Sequence, residues 1–477
     1  MDLLQMRGLL LTIFAACIGG TFQSGLNMTI INAPTTFIQM FINETWIERY
    51  GKPLESGVIT LFWTIIITAF CVGGLVGALI AGPMAITCGR RDSLLLSNIF
   101  VLVGTLLMGL SKTAKSFEMI LIGRFFTGIS SGVGHNIIPM YLGESAPKKI
   151  RGIVALSYAP FTAAGLVIGQ ALGLSEVLGR EETWPILLSA SAVPALIQLA
   201  ILPWCPESPR YLLIDREDKD MCMKALKQLR GNANLTSEID EMLEEQSVLE
   251  GENAKKIWDV FIDRSVRRQL MITMVLGSAV QLCGNDAQMY YYAAYLFRAV
   301  GISDENVPYV TIGTGCCELV AALTSNLFVD RAGRRLLLMG GYGLMVISGI
   351  FFTISLALQD KISWMPYMSV ISIFASIVSF GIGPAGVTGI IPMEIFDQTA
   401  RPAAYMINGL LFWINFIIIG LTFPFIVEGL GSFCYVPFLS LSFFFVVFIG
   451  VFLPETKGKT FLEISKEFRK QNFRGLM

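Results

Sequence analysis

The chain has 477 residues, of which 54% are hydrophobic and only 15% charged, and its formal net charge is -1. Soluble globular domains carry roughly 25% charged residues, and a core able to hide this much apolar surface does not fit in a chain of this length, so the surplus must face lipid. The near-neutral balance excludes an electrostatic footprint for nucleic acid and leaves charge informative only through its placement.

Apolar runs long enough to cross a hydrocarbon core, ~20 residues each, lie near 8–32, 58–82, 93–111, 117–141, 153–175 and 184–204. The first follows one early cation, Arg7, and lacks a small-residue cleavage pattern, so it reads as a first span and not a removable signal peptide. Next comes the one long hydrophilic stretch, Cys205 to Arg268, whose helix-forming segments Met221 to Arg230 and Thr236 to Glu252 read as a soluble helical linker. Further runs lie near 270–297, 306–329, 336–358, 365–392, 403–428 and 433–453. The predicted fold is an all-α membrane protein of twelve transmembrane helices in two six-helix bundles. Residues 1–204 and 269–453 form the bundles, 205–268 the linker and 454–477 the tail.

Six of the nine cysteines (Cys17, Cys71, Cys283, Cys316, Cys317 and Cys434) fall in apolar runs, and Cys88, Cys205 and Cys222 lack paired metal-ligand spacing. Neither a disulfide framework nor a zinc site is expected. Arg7, Arg90, Arg91, Lys148, Lys149, Arg151, Arg331, Arg334, Arg335 and Arg401 fall on alternate connectors, together with the Lys-rich tail, which places both termini in the cytoplasm. The sequon Asn43-Glu44-Thr45 lies in the longest connector of the opposite side, where a glycan can be attached; those at Asn27 and Asn234 fall in a span and in the cytoplasm. Trp46, Trp184, Trp204 and Trp364 sit near span ends, as interfacial anchors do.

An internal repeat organises the chain. Gly89-Arg90-Arg91 recurs as Gly333-Arg334-Arg335, Glu144 with Arg151 as Glu394 with Arg401, and Pro206-Glu207 as Pro454-Glu455. Basic loop ends are ordinary topology signals, but three matches in order at a near-constant separation point to two homologous halves. The charges Arg90, Arg91, Glu144, Arg151, Asp330, Arg331, Arg334, Arg335, Glu394 and Arg401 are expected to form a cytoplasmic salt-bridge latch, unless they only set topology.

Gly123-Arg124, Pro139 to Glu144 with Arg151-Gly152, Pro206 to Arg210, Asp330 to Arg335 and Pro454 to Gly458 together resemble the signature set of the sugar porters of the major facilitator superfamily. The match covers essentially the whole chain. The stretches Gln281 to Asp286, Ile312 to Glu318 and Phe380 to Gly389 are most similar to class II facilitative glucose transporters. The resemblance implies the major facilitator fold with an intracellular helical linker, and hexose transport by alternating access.

In the seventh span Gln281, Asn285, Gln288 and Tyr292 recur at helical spacing and form one polar stripe, which cannot face lipid. Amides suit a sugar because each offers donors and acceptors to hydroxyls that switch roles; the alternative is helix–helix hydrogen bonding. By resemblance, Gln170 and Gln281 match glutamines that bind hexose hydroxyls, and Trp413 matches a tryptophan below the sugar. Asp286 and Glu318 stand where asparagine is usual. Gly389 replaces a bulky tryptophan and Leu282-Cys283 a Leu-Ser pair of class I members, which points to a cavity that admits fructose as well as glucose. Leu26 replaces a tyrosine of many relatives. The lone histidine, His135, lies beside Asn136 in the fourth span and is either a proton relay or part of a packed polar wall. The glycines and Pro384 of 381–389 are expected to interrupt the tenth span, either as a gate or as a packing notch.

The sequence thus predicts a facilitative hexose uniporter of the plasma membrane, with no cofactor and no metal; its partners are the hexose and membrane lipid, and the oligomeric state stays open. A proton-coupled sugar symporter and a carrier of another small polar solute such as urate are the alternatives. An enzyme is not expected, since neither a catalytic triad nor a phosphate-cradling loop is present. Uniport is favoured because proton-coupled relatives have an aspartate where this chain has Asn27, although Asp286 and Glu318 can play that part or donate hydrogen bonds to the sugar when protonated.

Overall fold

A computed structural model describes residues 6–231, 235–249, 251–286, 297–298 and 300–474. Among these, every regular element is a helix. The first half comprises α1 (Arg7–Thr29), α2 (Thr35–Tyr50), α3 (Ser56–Thr87), α4 (Arg90–Leu110), α5 (Glu118–Ser145), α6 (Lys148–Leu172) and α7 (Trp184–Trp204). The hydrophilic stretch holds α8 (Lys219–Arg230), α9 (Thr236–Val248) and α10 (Ile257–Ile262). The second half comprises α11 (Arg267–Leu282), α12 (Val307–Ala332), α13 (Arg334–Leu358), α14 (Met365–Ile395), α15 (Arg401–Leu430) and α16 (Val436–Phe452), followed by α17 (Phe461–Arg474). Nine helices among the described residues are long and apolar enough to cross a membrane, or ten if Phe425–Phe433 and Val436–Phe452, bent by 81°, form one span. The seventh expected span lies partly outside the described residues, and Gln288, Tyr292 and Asn234, the first residue of its sequon, lie outside them.

Two features differ from the sequence expectation. The connector after α1 is not a loop: residues 35–50 form α2, in which Asn43 Oδ1 accepts from Leu54 N–H at 3.0 Å and Thr45 is buried. The tail is also structured, because α17 presents Phe461, Ile464 and Phe468 at helical spacing and buries all three.

The repeat has a local physical cause. Gly89 and Gly333 adopt φ of +94° and +91°, which only glycine visits readily, and each starts a helix without a side-chain cap of its own. The cap comes from afar. Glu207 accepts from Arg90 N–H at 3.0 Å and Arg91 N–H at 3.1 Å, and Glu455 accepts from Arg334 N–H at 3.0 Å and Arg335 N–H at 3.1 Å. A carboxylate at a helix N-terminus satisfies orphan N–H groups and complements the dipole, so each Pro-Glu pair closes one half onto its own Gly-Arg-Arg turn.

Within the first half α3 packs on α5 through Gly73, Gly77, Gly128 and Gly132, where an added Cβ would lie 2.1 to 2.2 Å from a backbone oxygen of the neighbour. Helices in lipid associate by such close backbone approach, since no hydrophobic effect drives them together. The halves meet along two seams, α3 with α15 and α6 with α12. α14 stops at Ile382 and resumes at Val387, so the expected interruption is present, with Gly383 pressed against the Leu337 carbonyl.

Candidate functional site

A cavity of about 120 Å³ opens between the two halves. The first half contributes His135 and Asn136 from α5 and Tyr158 and Thr162 from α6; the second contributes Gln281, Asp286, Glu318 of α12, Gly389 of α14, and Asn408, Phe412 and Trp413 of α15. The side chains of Gln281 and Asn285 hydrogen-bond to Asp286, which holds the three groups together at the end of α11. Glu318, 8% exposed, faces the same space.

Gln281 Oε1, Glu318 Oε2, Asn408 Oδ1 and Trp413 Nε1 are buried and make no hydrogen bond among the described residues. Polar groups left so in an apolar medium cost several kcal/mol, roughly 2–7 each before relaxation, unless water or a ligand pairs with them. Together they offer two amide oxygens, a carboxyl and an indole N–H, a mixed set that suits a polyhydroxylated ligand. Trp413 is fixed from the other half: its ring lies where a Cβ on Gly74 would come within 2.4 Å, and Phe70 meets its edge at 5.8 Å. His135 stacks on Phe412 at 5.7 Å, with Nδ1 3.0 Å from the Ser131 carbonyl oxygen.

The cavity floor joins the halves directly. Tyr158 Oη donates to the Gly386 carbonyl across the seam at 2.6 Å, and Tyr405 Oη donates to the Gly389 carbonyl at 2.8 Å. A Cβ on Gly389 would lie 2.0 Å from Tyr158 Oη. The space opposite Gly389 is therefore filled by tyrosine, not left open as the small residue suggested.

Of the expected sugar contacts, Gln281, Asp286, Glu318, Gly389 and Trp413 line the cavity; Asn285 lies behind it against Asp286. Gln170 stands apart, against Gly315 on the α6–α12 seam, while Ala159 and Thr162 of the same helix line the cavity. Asn136, Tyr158, Asn408 and Phe412 were not expected as contacts. Asn136 and Asn408 each interrupt an apolar run, a signal that a search for isolated amides would have caught.

Beneath the floor lies the charge cluster. Glu144 sits between Arg90 at 3.0 Å and Arg401 at 2.9 Å, and Ser208 donates to it at 2.6 Å. Glu394 sits between Arg334 at 2.7 Å and Arg151 at 3.3 Å, with Thr456 donating as well. Two of these four pairs, Glu144 with Arg401 and Arg151 with Glu394, cross from one half to the other. Asp330 adds a third crossing, accepting from Gly152 N–H at 3.1 Å and Ile153 N–H at 2.9 Å, and pairs with Arg334 at 2.9 Å. Phe461 of α17 lies under the guanidinium groups of Arg151, Arg210 and Arg401 at 4.4, 4.4 and 4.7 Å. Three expected members stand outside this cluster: Arg91 pairs with its neighbour Asp92, Arg335 donates to the Gly450 carbonyl, and Arg331 is exposed.

A family model described as sugar (and other) transporter matches residues 12–468. The chain is 54% identical over 471 residues to the human solute carrier family 2, facilitated glucose transporter member 11, covering 99% of this chain and 95% of that one. It is 40% identical over 464 residues to the rat facilitated glucose transporter member 5, covering 97% and 92%. Among solved structures, the major facilitator superfamily proton:xylose symporter XylE bound to 6-bromo-6-deoxy-D-glucose superposes with a TM-score of 0.82 at 21% identity, over 96% of this chain and 99% of that one.

Proposed function

The chain belongs to the sugar transporter family, and we propose that it carries hexoses, glucose and fructose, down their gradient through the cavity between its two halves. The observation that supports this reading best is the set of unpaired hydrogen-bonding atoms on Gln281, Glu318, Asn408 and Trp413, buried at the seam. In this reading residues 1–204 and 269–453 are the two moving bundles, 205–268 couples them, and the cross-half pairs of Glu144 and Glu394 close the cytoplasmic end while sugar enters from outside. Alternating access then consists of breaking those pairs and the Tyr158 bond while the outer end closes. Gln170 keeps its proposed place along the path, beside the cavity, and Asn43 its place as the glycan acceptor of a plasma-membrane protein; Gln288 and Tyr292 stay proposed sugar contacts that lie outside the described residues.

Uniport is the mode favoured here. Asn27 replaces the titratable group at its position, and Asp286 and Glu318 act as hydrogen-bonding partners of the sugar in place of amides. Hexose binding to the purified protein, followed by uptake of labelled glucose and fructose into proteoliposomes, tests the substrate class. Binding and uptake of both sugars are expected; uptake of urate with neither hexose would move the substrate elsewhere.

A further inference from the structure

Near its end the linker holds a helix with one face that meets no partner among the described residues. α10, residues 257–262, rests on α15 through buried Val260, yet Trp258, Phe261 and Ile262 are 72%, 44% and 78% exposed. Positions 258, 261 and 262 share one side of a helix. Three large apolar side chains turned outward together on a linker helix are costly in water. They are also close to lipid, because α11 begins only a few residues later, at Arg267. The segment 255–268 is basic: it carries Lys255, Lys256, Arg264, Arg267 and Arg268 against Asp259 and Asp263, a net of +3, with Glu252 and Asp397 also near Lys255. Lys255 pairs with Asp263 at 2.7 Å, whereas Lys256, Arg264 and Arg267 are exposed.

We propose that α10 is an interfacial foot, whose Trp258, Phe261 and Ile262 face inserts into the bilayer leaflet on the latch side while Lys256, Arg264 and Arg267 engage anionic lipid headgroups. A short amphipathic helix with aromatic and aliphatic residues on one side and cations at its rim binds in the interface plane in this way. The assignment of anionic headgroups rests on the latch side being cytoplasmic, the leaflet richer in such lipids. The foot ties the linker to the membrane at the point where the second half begins.

Full-length protein carrying an environment-sensitive fluorophore on Trp258→Cys, Ile262→Cys or Asp259→Cys, in nanodiscs with shallow brominated acyl chains, tests the foot, with the signal of identically labelled parent protein subtracted. Quenching by bromolipid at 258 and 262 should exceed that at 259 at least threefold, and aqueous iodide should show the reverse order. Adding anionic lipid to zwitterionic nanodiscs should raise the lipid quenching, and salt should lower it again. Iodide quenching at 258 and 262 equal to that at 259 would overturn insertion. Insertion indifferent to anionic lipid would overturn the headgroup contact. Hexose binding serves as the fold control, and Ile262→Cys decides alone if Trp258→Cys fails it.

Discussion

At the scale of single residues, the site depends on side chains whose hydrogen-bonding capacity the protein leaves unused. Gln281 donates toward Asp286 and keeps Oε1 free in the cavity. Two hydrogen bonds to sugar hydroxyls at about 0.5–1.5 kcal/mol each make Gln281→Leu roughly ten-fold or more weaker in hexose binding, with insertion and folding retained; isothermal titration and uptake measure this, and unchanged affinity would remove Gln281 from the path. Gly389 has a different meaning from the one its size suggested. In Gly389→Ala the new Cβ meets Tyr158 Oη, so the bond to the Gly386 carbonyl is lost and the floor is overpacked, at about 1–3 kcal/mol. Uptake of glucose and of fructose should fall by similar factors, and Tyr158→Phe in the same background should recover part of it. A selective loss of fructose uptake would instead show that residue 389 discriminates by shape. The place of Gln281 at the cavity was legible because an amide in an apolar span has few places to go. Tyr158 was not, because its partner is a backbone carbonyl supplied by a helix break more than two hundred residues away.

At the scale of elements, the repeat was legible as charge and spacing, but its purpose was not. The Pro-Glu pairs cap the Gly-Arg-Arg turns, and the sequence shows the two motifs without showing that one closes on the other. Gly333→Ala would force a side chain into a left-handed conformation and toward the Glu455 carboxylate, which lies 2.5 Å from the built Cβ. A loss of about 1–3 kcal/mol, seen as a lower unfolding temperature in detergent, is expected there, and Gly340→Ala, with open space, should change little. The latch behaves differently from the caps because two of its ion pairs cross the seam. Removing one partner of a buried pair costs about 3–5 kcal/mol, and here the loss falls only on the state in which that end is closed. Glu394→Gln should therefore speed thiol labelling of Leu156→Cys, a buried position that touches Gly386 across the seam, by at least ten-fold. Phe461→Ala should act in the same direction and less strongly, since it removes a ring from three guanidinium groups at about 0.5–2 kcal/mol each. An unchanged labelling rate in both would reduce the cluster to a topology signal. The tail helix was invisible in the sequence because its Lys-rich composition masked a three-residue apolar stripe.

At the scale of the whole molecule, hydropathy alone carried most of the architecture: lipid offers no partner for backbone groups, so each long apolar run had to be a helix. The relation between the halves was less accessible. It depends on glycine contacts, a tyrosine bolt and crossed ion pairs, none of which has a periodic signature. In the proposed function the protein is a carrier in which one cavity is shared by two halves and sugar alone sets the direction of flux. Asp286 and Glu318 face that cavity, so proton coupling is the specific rival. Uptake of labelled glucose and fructose into proteoliposomes, with lumenal pH recorded in parallel, separates the two. Uniport requires lumenal sugar to level off at the external concentration, with the same initial rate in the presence of a protonophore and no acidification of a weakly buffered lumen. Accumulation above the external concentration under an inward proton gradient, or sugar-dependent proton entry that disappears in Glu318→Gln or Asp286→Asn, would contradict it.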